Sequence, residues 1–407
     1  MPPPRLIAHL DADAFYVSCE RVRHPALMSQ PVGVLGNQGA AVIAKSYEMK
    51  RLGVKTGMPI WDAVKCCPQG IFIKRDFHWY EVISRQLLET LRLVSPQVEY
   101  YSIDEMFWDA DHLPQPLLDS ARSLQRRVLE EIGVPVSMGI STTKTLAKLI
   151  SDTAKPFGCG ILLDEAETQA MLQRISVGEI SGIGKRSEEK LAGHGILTCW
   201  DFAQADRRLV RKLLTVKGEQ LWWELHGTPT QPIQTQRPPH KCISRGGSLG
   251  EATDDPDRLV AWAVRNVERL VEELDYYQVF TSQLTLAVEL KEGGGWAGRT
   301  SLPGATASFK VIASAIKCLL AEVCRSKQRV SGMHLLAEKL CFRSEVQGSL
   351  FDPPDPRAEQ VAKVKALINK KVGRFAVRSG ETLPLHEIYF DETNNFDICD
   401  VHGKLCF

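Results

Sequence analysis

The chain has 407 residues, 44% of them apolar and 24% charged, with a formal net charge of only +1; at roughly 100–200 residues per domain that length allows two to four domains. No apolar run approaches the roughly 20 residues of a bilayer span, and the composition is ordinary for a soluble globular protein, which sets aside a membrane-spanning chain and a small stapled scaffold. Eleven cysteines, an odd number without a CxxC pair, fit reduced thiols better than a disulfide framework, and the N-terminus MPPPRLIAHLDADAF meets acid at Asp11 before any signal-peptide pattern develops, so the expectation is a cytoplasmic protein without a membrane partner.

The segment LIAHLDADAFY reads as a buried strand ending at Asp11 that turns into a helix through AFYVSCERV. PVGVLG and AAVIAKS, separated by GNQG, read as a small hairpin. Helical spacing covers 76–95, and VEYYSIDEMFWDA reads as a strand pair with its turn near Ser102–Asp104. A helix over 117–132 and a strand in VPVSMGIS follow, and after Pro156-Phe157-Gly158 the pattern is helical through 226. Residues 181–249 hold eleven Lys and Arg against six Asp and Glu, a net of +5 that leaves −4 for the rest of the chain. Basic charge concentrated in one segment suits nucleic-acid binding. The Pro-rich stretch GTPTQPIQTQRPPHK reads as a linker. Beyond it the order is strand, helix 256–274, strands 279–290 and about 296–302, helix 306–324 and strand 329–340, an α+β module with its helices on one face of a sheet.

The adjacent acids Asp104 and Glu105 stand out inside an apolar and aromatic hairpin. Alone, the dipeptide fits a tight turn with two exposed acids. Neighbouring strand residues point to opposite faces, however, so both cannot be conveniently solvated, and the expectation is a compensating cation from outside the sequence. Mg²⁺ takes carboxylate oxygens and shares itself with substrate phosphates. Asp11, at the edge of another apolar strand, supplies a third carboxylate, and side-by-side strands would gather the three around two ions roughly 3.5 to 4 Å apart.

LDADAFYVSCE, AVIAKSYEMKRLGVKTGMP, VEYYSIDEMFWDA, MGISTTKTLAKLISDTAKPFG and SGIGKRSEEKLAGHGI occur in this order and spacing. Together they resemble the Y-family translesion DNA polymerases, nearest to the bacterial UmuC group and in part DinB-like. The likeness is strong over about 5–250, looser to about 352 and weak in the tail. It implies an α+β right-hand polymerase: palm (1–13 and 79–165), fingers (14–78), a helical thumb with a helix-hairpin-helix (166–234), a linker (235–243), an α+β little finger (244–345), then a clamp-binding motif and tail (346–407).

The same resemblance implies residue roles. Asp11, Asp104 and Glu105, with the carbonyl of Ala12, would hold two Mg²⁺ ions. Amides of Ala14 and Phe15 would contact the triphosphate at the turn into a helix. Tyr16 matches the steric gate against a ribose 2′-hydroxyl. Tyr47 and Lys50 match the grip on the β and γ phosphates, and Lys155 a further triphosphate contact. Many members carry arginine at Lys50 and threonine at Ala44, and those departures bear on nucleotide affinity. Asp13 is left outside the ligand set because the family uses it less consistently. Gly36, Ala41 and Gly57 would roof an open, permissive pocket over the nascent pair.

For primer-template DNA, Gly182 and Gly184 would bring hairpin amides to a phosphate, with Lys185 and Arg186 adding charge, and Ser244 and Arg245 would track the template backbone. Gln347, Leu350 and Phe351 fit the QxxLF pattern that enters a sliding clamp. A processed UmuD-like protein and a recombinase filament are further implied partners. Cys399, His402 and Cys406 lack a fourth ligand and make a poor zinc site. Two other functions use part of this pattern: a noncatalytic clamp-binding scaffold, which should have lost some carboxylates, and a two-metal nuclease or phosphatase, which has no use for Tyr16.

Overall fold

Residues Ile7–Ala12 form strand β1, buried at every position. Such a strand must lie at the centre of a sheet covered on both faces, and its surroundings show how. The computed structural model describes residues 5–36, 41–236, 239–346 and 356–390. It divides into two compact units, whose described residues lie within 5–236 and within 239–390.

In the first unit β1 is followed by helix α1 (Phe15–Arg23), strands β2 (Val32–Leu35) and β3 (Val42–Lys45), helices α2 (Tyr47–Arg51) and α3 (Ile60–Cys66), and strand β4 (Ile71–Lys74). Then come α4 (Phe77–Arg92), β5 (Val98–Tyr100), β6 (Glu105–Asp109), α5 (Leu117–Ile132), β7 (Val136–Ser141), α6 (Lys144–Ala154) and β8 (Cys159–Ile161). Helices α7 (Glu165–Leu172), α8 (Lys185–Ala192), α9 (Cys199–Gln204) and α10 (Arg207–Leu225) complete it.

The larger sheet has the order β5-β6-β1-β7-β8. Period-two alternation assigns its faces. Ala8, Leu10, Met106 and Trp108 enter the main core with Tyr80, Ile83 and Leu87 of α4 and Leu124 and Val128 of α5. Ile7 and Phe107 point the other way and pack on Ala147 of α6. Asp11 and Glu105 therefore lie on the α6 face of their strands, two residues on from His9 and two before Phe107. The helix comes this close because of Gly139 on β7, where an added Cβ would sit 2.1 Å from the Ala147 carbonyl oxygen. The second sheet, β3-β2-β4, pairs β2 antiparallel to β3 and parallel to β4. Its small core is Leu35, Val42, Met49, Val54, Ala63 and Cys67. Helices α7 to α10 gather around Leu172, Leu191, Phe202 and Val210, joined by Leu146 and Leu149 of α6.

The second unit is a sheet ordered β11-β10-β12-β9, in which β9 is Cys242–Thr253, β10 Val279–Leu290, β11 Gly295–Thr306 and β12 Val330–Phe342. Helices α11 (Pro256–Tyr276) and α12 (Phe309–Arg325) share one core with Leu284, Leu286, Met333 and Leu335 of the sheet. A last helix, α13 (Pro356–Val372), precedes a segment that buries Phe375 and Leu385. The expected module of two helices on one sheet face is present. Strands β4 and β8 and helices α2, α3 and α13 lie outside the elements read from the sequence.

Candidate active site

The β1–β6 register sets Asp11 directly opposite Glu105, and the Ala12 amide donates to the Asp104 carbonyl over 2.9 Å. All three acids thus stand at one end of two central strands. Glu105 opens β6, whereas Asp104 belongs to the bend before it, where the Ser102 hydroxyl donates to its Oδ1 at 2.6 Å. Only Glu105 of the pair obeys strand alternation, so the expected division over two sheet faces gives way to turn geometry at Asp104.

Part of the compensating charge comes from the chain itself. Helix α6 carries Lys144, Lys148, Asp152 and, just past its end, Lys155 on one stripe. Lys155 Nζ donates to Asp11 Oδ2 at 2.6 Å and to Asp152 Oδ1 at 2.8 Å. Lys148 pairs with Glu105 and lies 3.9 Å from Asp11 Oδ2 and 3.7 Å from Asp152 Oδ2. Among the described residues no three His, Cys, Asp or Glu side chains are converged as a ready ligand cluster. The lysines hold the carboxylate oxygens instead.

Burial dominates the electrostatics. It pushes the Asp11 carboxyl up to about 8 against the pull of Lys155, with the Glu105 charge adding to the rise. Asp104 is also raised, by burial first and then by Glu105, against its Ser102 hydrogen bond. Buried carboxylates that resist ionising alone gain from each added positive charge. The donors here are hard oxygens, a set that suits divalent cations such as Mg²⁺ and not soft metals.

Asp13 has a different occupation. It is 2% exposed and accepts from both Ser137 Oγ contacts at 3.1 Å, from the Phe157 amide at 2.8 Å and from the Tyr47 hydroxyl at 3.2 Å. Its carboxylate therefore ties α2 to the main sheet. Lys50, exposed on the same short helix, has its ammonium 6.0 Å from the Tyr47 ring. Ser46 caps α2 by accepting from the Met49 amide at 3.2 Å.

The turn into α1 is made by Ala14 at φ 46° and ψ 46°, a left-handed conformation that costs a non-glycine residue about 1 kcal/mol. Phe15 begins the helix in the core. The half-buried Tyr16 ring stacks on Tyr80, centroids 4.8 Å apart at 19°, with Phe77 edge-on at 5.6 Å. With Phe15 at 5.7 Å, three aromatic neighbours fix where that ring stands. Burial and the nearby Asp104 charge push its hydroxyl up to about 12, so it stays a neutral phenol.

Farther along, Gly182 adopts φ +98° and Gly184 caps α8, which begins with the exposed Lys185 and Arg186. Ile183 between the glycines is 5% exposed and pins the turn to the helical core. In the second unit Ser244 is exposed, but Arg245 is not. It forms a buried ion pair with Glu273 of α11 at 2.5 Å, the side chains 5% and 3% exposed, so the expected role on a template backbone is corrected. Alternation is the cause: Arg245 shares a face with the buried Ile243, two residues earlier. Gln347, Leu350 and Phe351 lie outside the described residues, as do Cys399, His402 and Cys406.

Sequence reading missed Lys148 and the anchoring use of Asp13. The 144–148–152–155 spacing on α6 carried the first signal; nothing local distinguished the second.

Comparison with known proteins fits this geometry. The impB/mucB/samB family model matches residues 10–152, and the C-terminal domain model of the same family matches 240–350. DNA polymerase IV 1 of Bacillus subtilis is 30% identical over 394 residues, 94% of each chain. UmuC of Salmonella typhimurium is 30% identical over 387 residues, 91% of this chain and 92% of the other. A solved Y-family DNA polymerase chimera of Dbh and Dpo4 superposes with a TM-score of 0.73 at 22% identity, covering 83% of this chain and all of that one. At that identity the likeness shows the fold. Membership also implies a divalent-metal cofactor, and no helix among the described residues is long and apolar enough to cross a membrane. The chain belongs to the impB/mucB/samB family, the Y-family translesion DNA polymerases that include UmuC and DNA polymerase IV.

Proposed function

We propose that this chain extends a primer 3′ end with deoxynucleotides opposite damaged template, using Asp11, Asp104, Glu105 and the Ala12 carbonyl to hold two Mg²⁺ ions. One observation carries the reading: Asp11 faces Glu105 across the central strand pair while Asp104 is bonded through its backbone to Ala12. The chemistry such ions supply when bound is activation of the primer hydroxyl and charge balance on the leaving pyrophosphate.

The protein's own groups do the rest. Lys148 and Lys155 keep repelling carboxylates side by side, and Lys155, at the rim of the stripe, can exchange Asp11 for a triphosphate oxygen. Tyr47 and Lys50 bind the β and γ phosphates, and the Ala14 and Phe15 amides face them from the left-handed turn. The Tyr16 ring, backed by Tyr80, occupies the place a 2′-hydroxyl would need. The turn at Gly182 and Gly184, with Lys185 and Arg186, grips a DNA phosphate, and Ser244 adds a backbone contact from β9. We assign palm to 1–13 and 79–165, fingers to 14–78, thumb to 166–234, linker to 235–243 and little finger to 244–345. Gln347, Leu350 and Phe351 dock a sliding clamp, and a processed UmuD-like protein and a recombinase filament are its accessory partners. A solved insertion ternary complex of Dbh DNA polymerase shares this fold at 22% identity and supports the reading.

The test is primer extension on undamaged and abasic templates with Mg²⁺ and four deoxynucleotides. Template-dependent lengthening supports the reading. Shortened strands would indicate a nuclease, and a chain inert even with clamp added would indicate a scaffold.

A further inference from the structure

The segment from β3 to the start of α4 carries charge that its proposed work on the triphosphate does not use up. Residues 41–75 contain seven Lys and Arg against only Glu48 and Asp62, a net of +5 in 35 residues, equal to the excess over 181–249. Glu48 is already paired with Arg21 at 3.0 Å. The field of this crowding is visible at Lys45, whose ammonium is pushed below its usual range by burial and by Lys50.

Within this basic segment α3 turns an aromatic face outward. Ala63 packs inward on Met49 and Val54, while Trp61 is 61% exposed, Val64 42% and the Lys65 side chain 75%. These three residues stand at i, i+3 and i+4, neighbours on one helical face. Among the described residues Lys65 pairs with Asp62, an exposed pair at 3.0 Å of the kind worth little in water. A large exposed aromatic beside an exposed lysine suits a base stacked on the ring and a phosphate on the ammonium. The helix is not a loose appendage: the Gly57 amide donates to the Val42 carbonyl at 2.8 Å, the Val42 amide to the Met58 carbonyl at 2.9 Å, and Ala41 bridges Pro59. Through β3 and α2 it is joined to Tyr47 and so to Asp13, two residues from Asp11.

We infer that the Trp61, Val64 and Lys65 face of α3 is a binding surface for single-stranded nucleic acid, the unpaired template ahead of the primer end, with one base stacked on Trp61. The inference rests on the polymerase reading for the identity of that strand, and on charge for its chemistry: the exposed Lys65 on this face, in a segment of basic excess, selects a polyanion, and a bare indole selects unpaired bases over a duplex backbone.

The test uses the full chain with fluorescein-labelled oligo(dT), followed by anisotropy across a salt series, and extension of primers whose templates overhang by one or ten nucleotides. Trp61→Ala should weaken oligo(dT) binding roughly tenfold, the loss of one stacked base. Trp61→Phe should restore most of it and Trp61→Leu should not, because only the π-face stacks. Lys65→Gln should reduce the salt slope by about 0.7. The ratio of extension on long to short overhangs should fall in Trp61→Ala. Equal oligo(dT) binding by wild type and Trp61→Ala would overturn the inference and point to an acidic protein surface instead. Equal rescue by Leu and Phe would overturn the stacking. A wild type that binds oligo(dT) but extends nothing would fail the polymerase reading and leave the surface standing as a nucleic-acid site.

Discussion

Replacing Lys144 by methionine removes the cation from an enclosed charge pair of the first unit. Lys144 Nζ lies 2.8 Å from both carboxylate oxygens of Glu99, and the two side chains are 7% and 9% exposed. The ammonium also sits 4.7 Å from the centre of the Phe107 ring. Without it, Glu99 keeps, among the described residues, the Gln234 amide, which donates to Oε2 at 2.7 Å. An uncompensated buried charge of this kind costs about 3–5 kcal/mol. Replacing both partners, as Glu99→Leu with Lys144→Met, strands only the Gln234 amide and should cost about 1–2 kcal/mol. A chain of two units gives no single unfolding free energy, so the suitable assay is native-state hydrogen exchange of the β5 and β6 amides, whose opening reports locally. Lys144→Met should speed that exchange by roughly 100-fold or more, and the double variant should restore most of the protection. A change below about 1 kcal/mol in Lys144→Met, or a double variant as unstable as the single, would refute this view of the pair.

Tyr16→Ala should raise ribonucleotide incorporation by about 100-fold relative to deoxynucleotide, in single-nucleotide extension, whereas Tyr16→Phe, which keeps the ring stacked on Tyr80, should stay selective. Asp13→Ala deprives the Phe157 amide and Ser137 of their acceptor and should cost about 2–4 kcal/mol by hydrogen exchange in β7, with a raised nucleotide KM as Tyr47 loses its tether. Burial, then the Glu179 charge, pushes the Cys199 thiol up to about 12. The unfolded chain releases that proton near its ordinary pH of about 9 while the folded chain holds it, so stability falls as pH rises above 9. Denaturant midpoints of Cys199→Ala should therefore decline less steeply than wild type between pH 9 and 10.5, and equal slopes would contradict the assignment.

Much of the site could be read directly. The apolar run before Asp11 and the aromatic run after Glu105 are long enough to declare two buried strands, and their pairing follows from hairpin and sheet logic. What stayed hidden has identifiable causes. Strand β8 spans only Cys159–Ile161, too short for any periodicity, and β4 is an edge strand with exposed ends. Helix α13 leaves Val361, Val364 and Leu367 exposed, so its pattern does not resemble that of a packed helix. Arg245 was misplaced because a basic residue in a basic region invites a nucleic-acid role. Its strand parity with Ile243 was the better guide. The resemblance supplies a role for Lys155 alone, although four-residue spacing from Lys144 puts Lys148 on the same stripe that meets the carboxylates.

The central claim is that Asp11, Asp104 and Glu105 form one catalytic centre. Its most direct test is single-turnover incorporation of one correct deoxynucleotide by Asp11→Asn, Asp104→Asn and Glu105→Gln, with primer-template affinity measured in parallel. These variants keep side-chain shape and remove charge. Each should lower the rate by roughly 1000-fold or more while DNA binding stays within a few-fold of wild type, and pairs should be little worse than singles because the acids act as a unit. Near wild-type turnover in any one of the three would remove that residue from the centre and contradict the account.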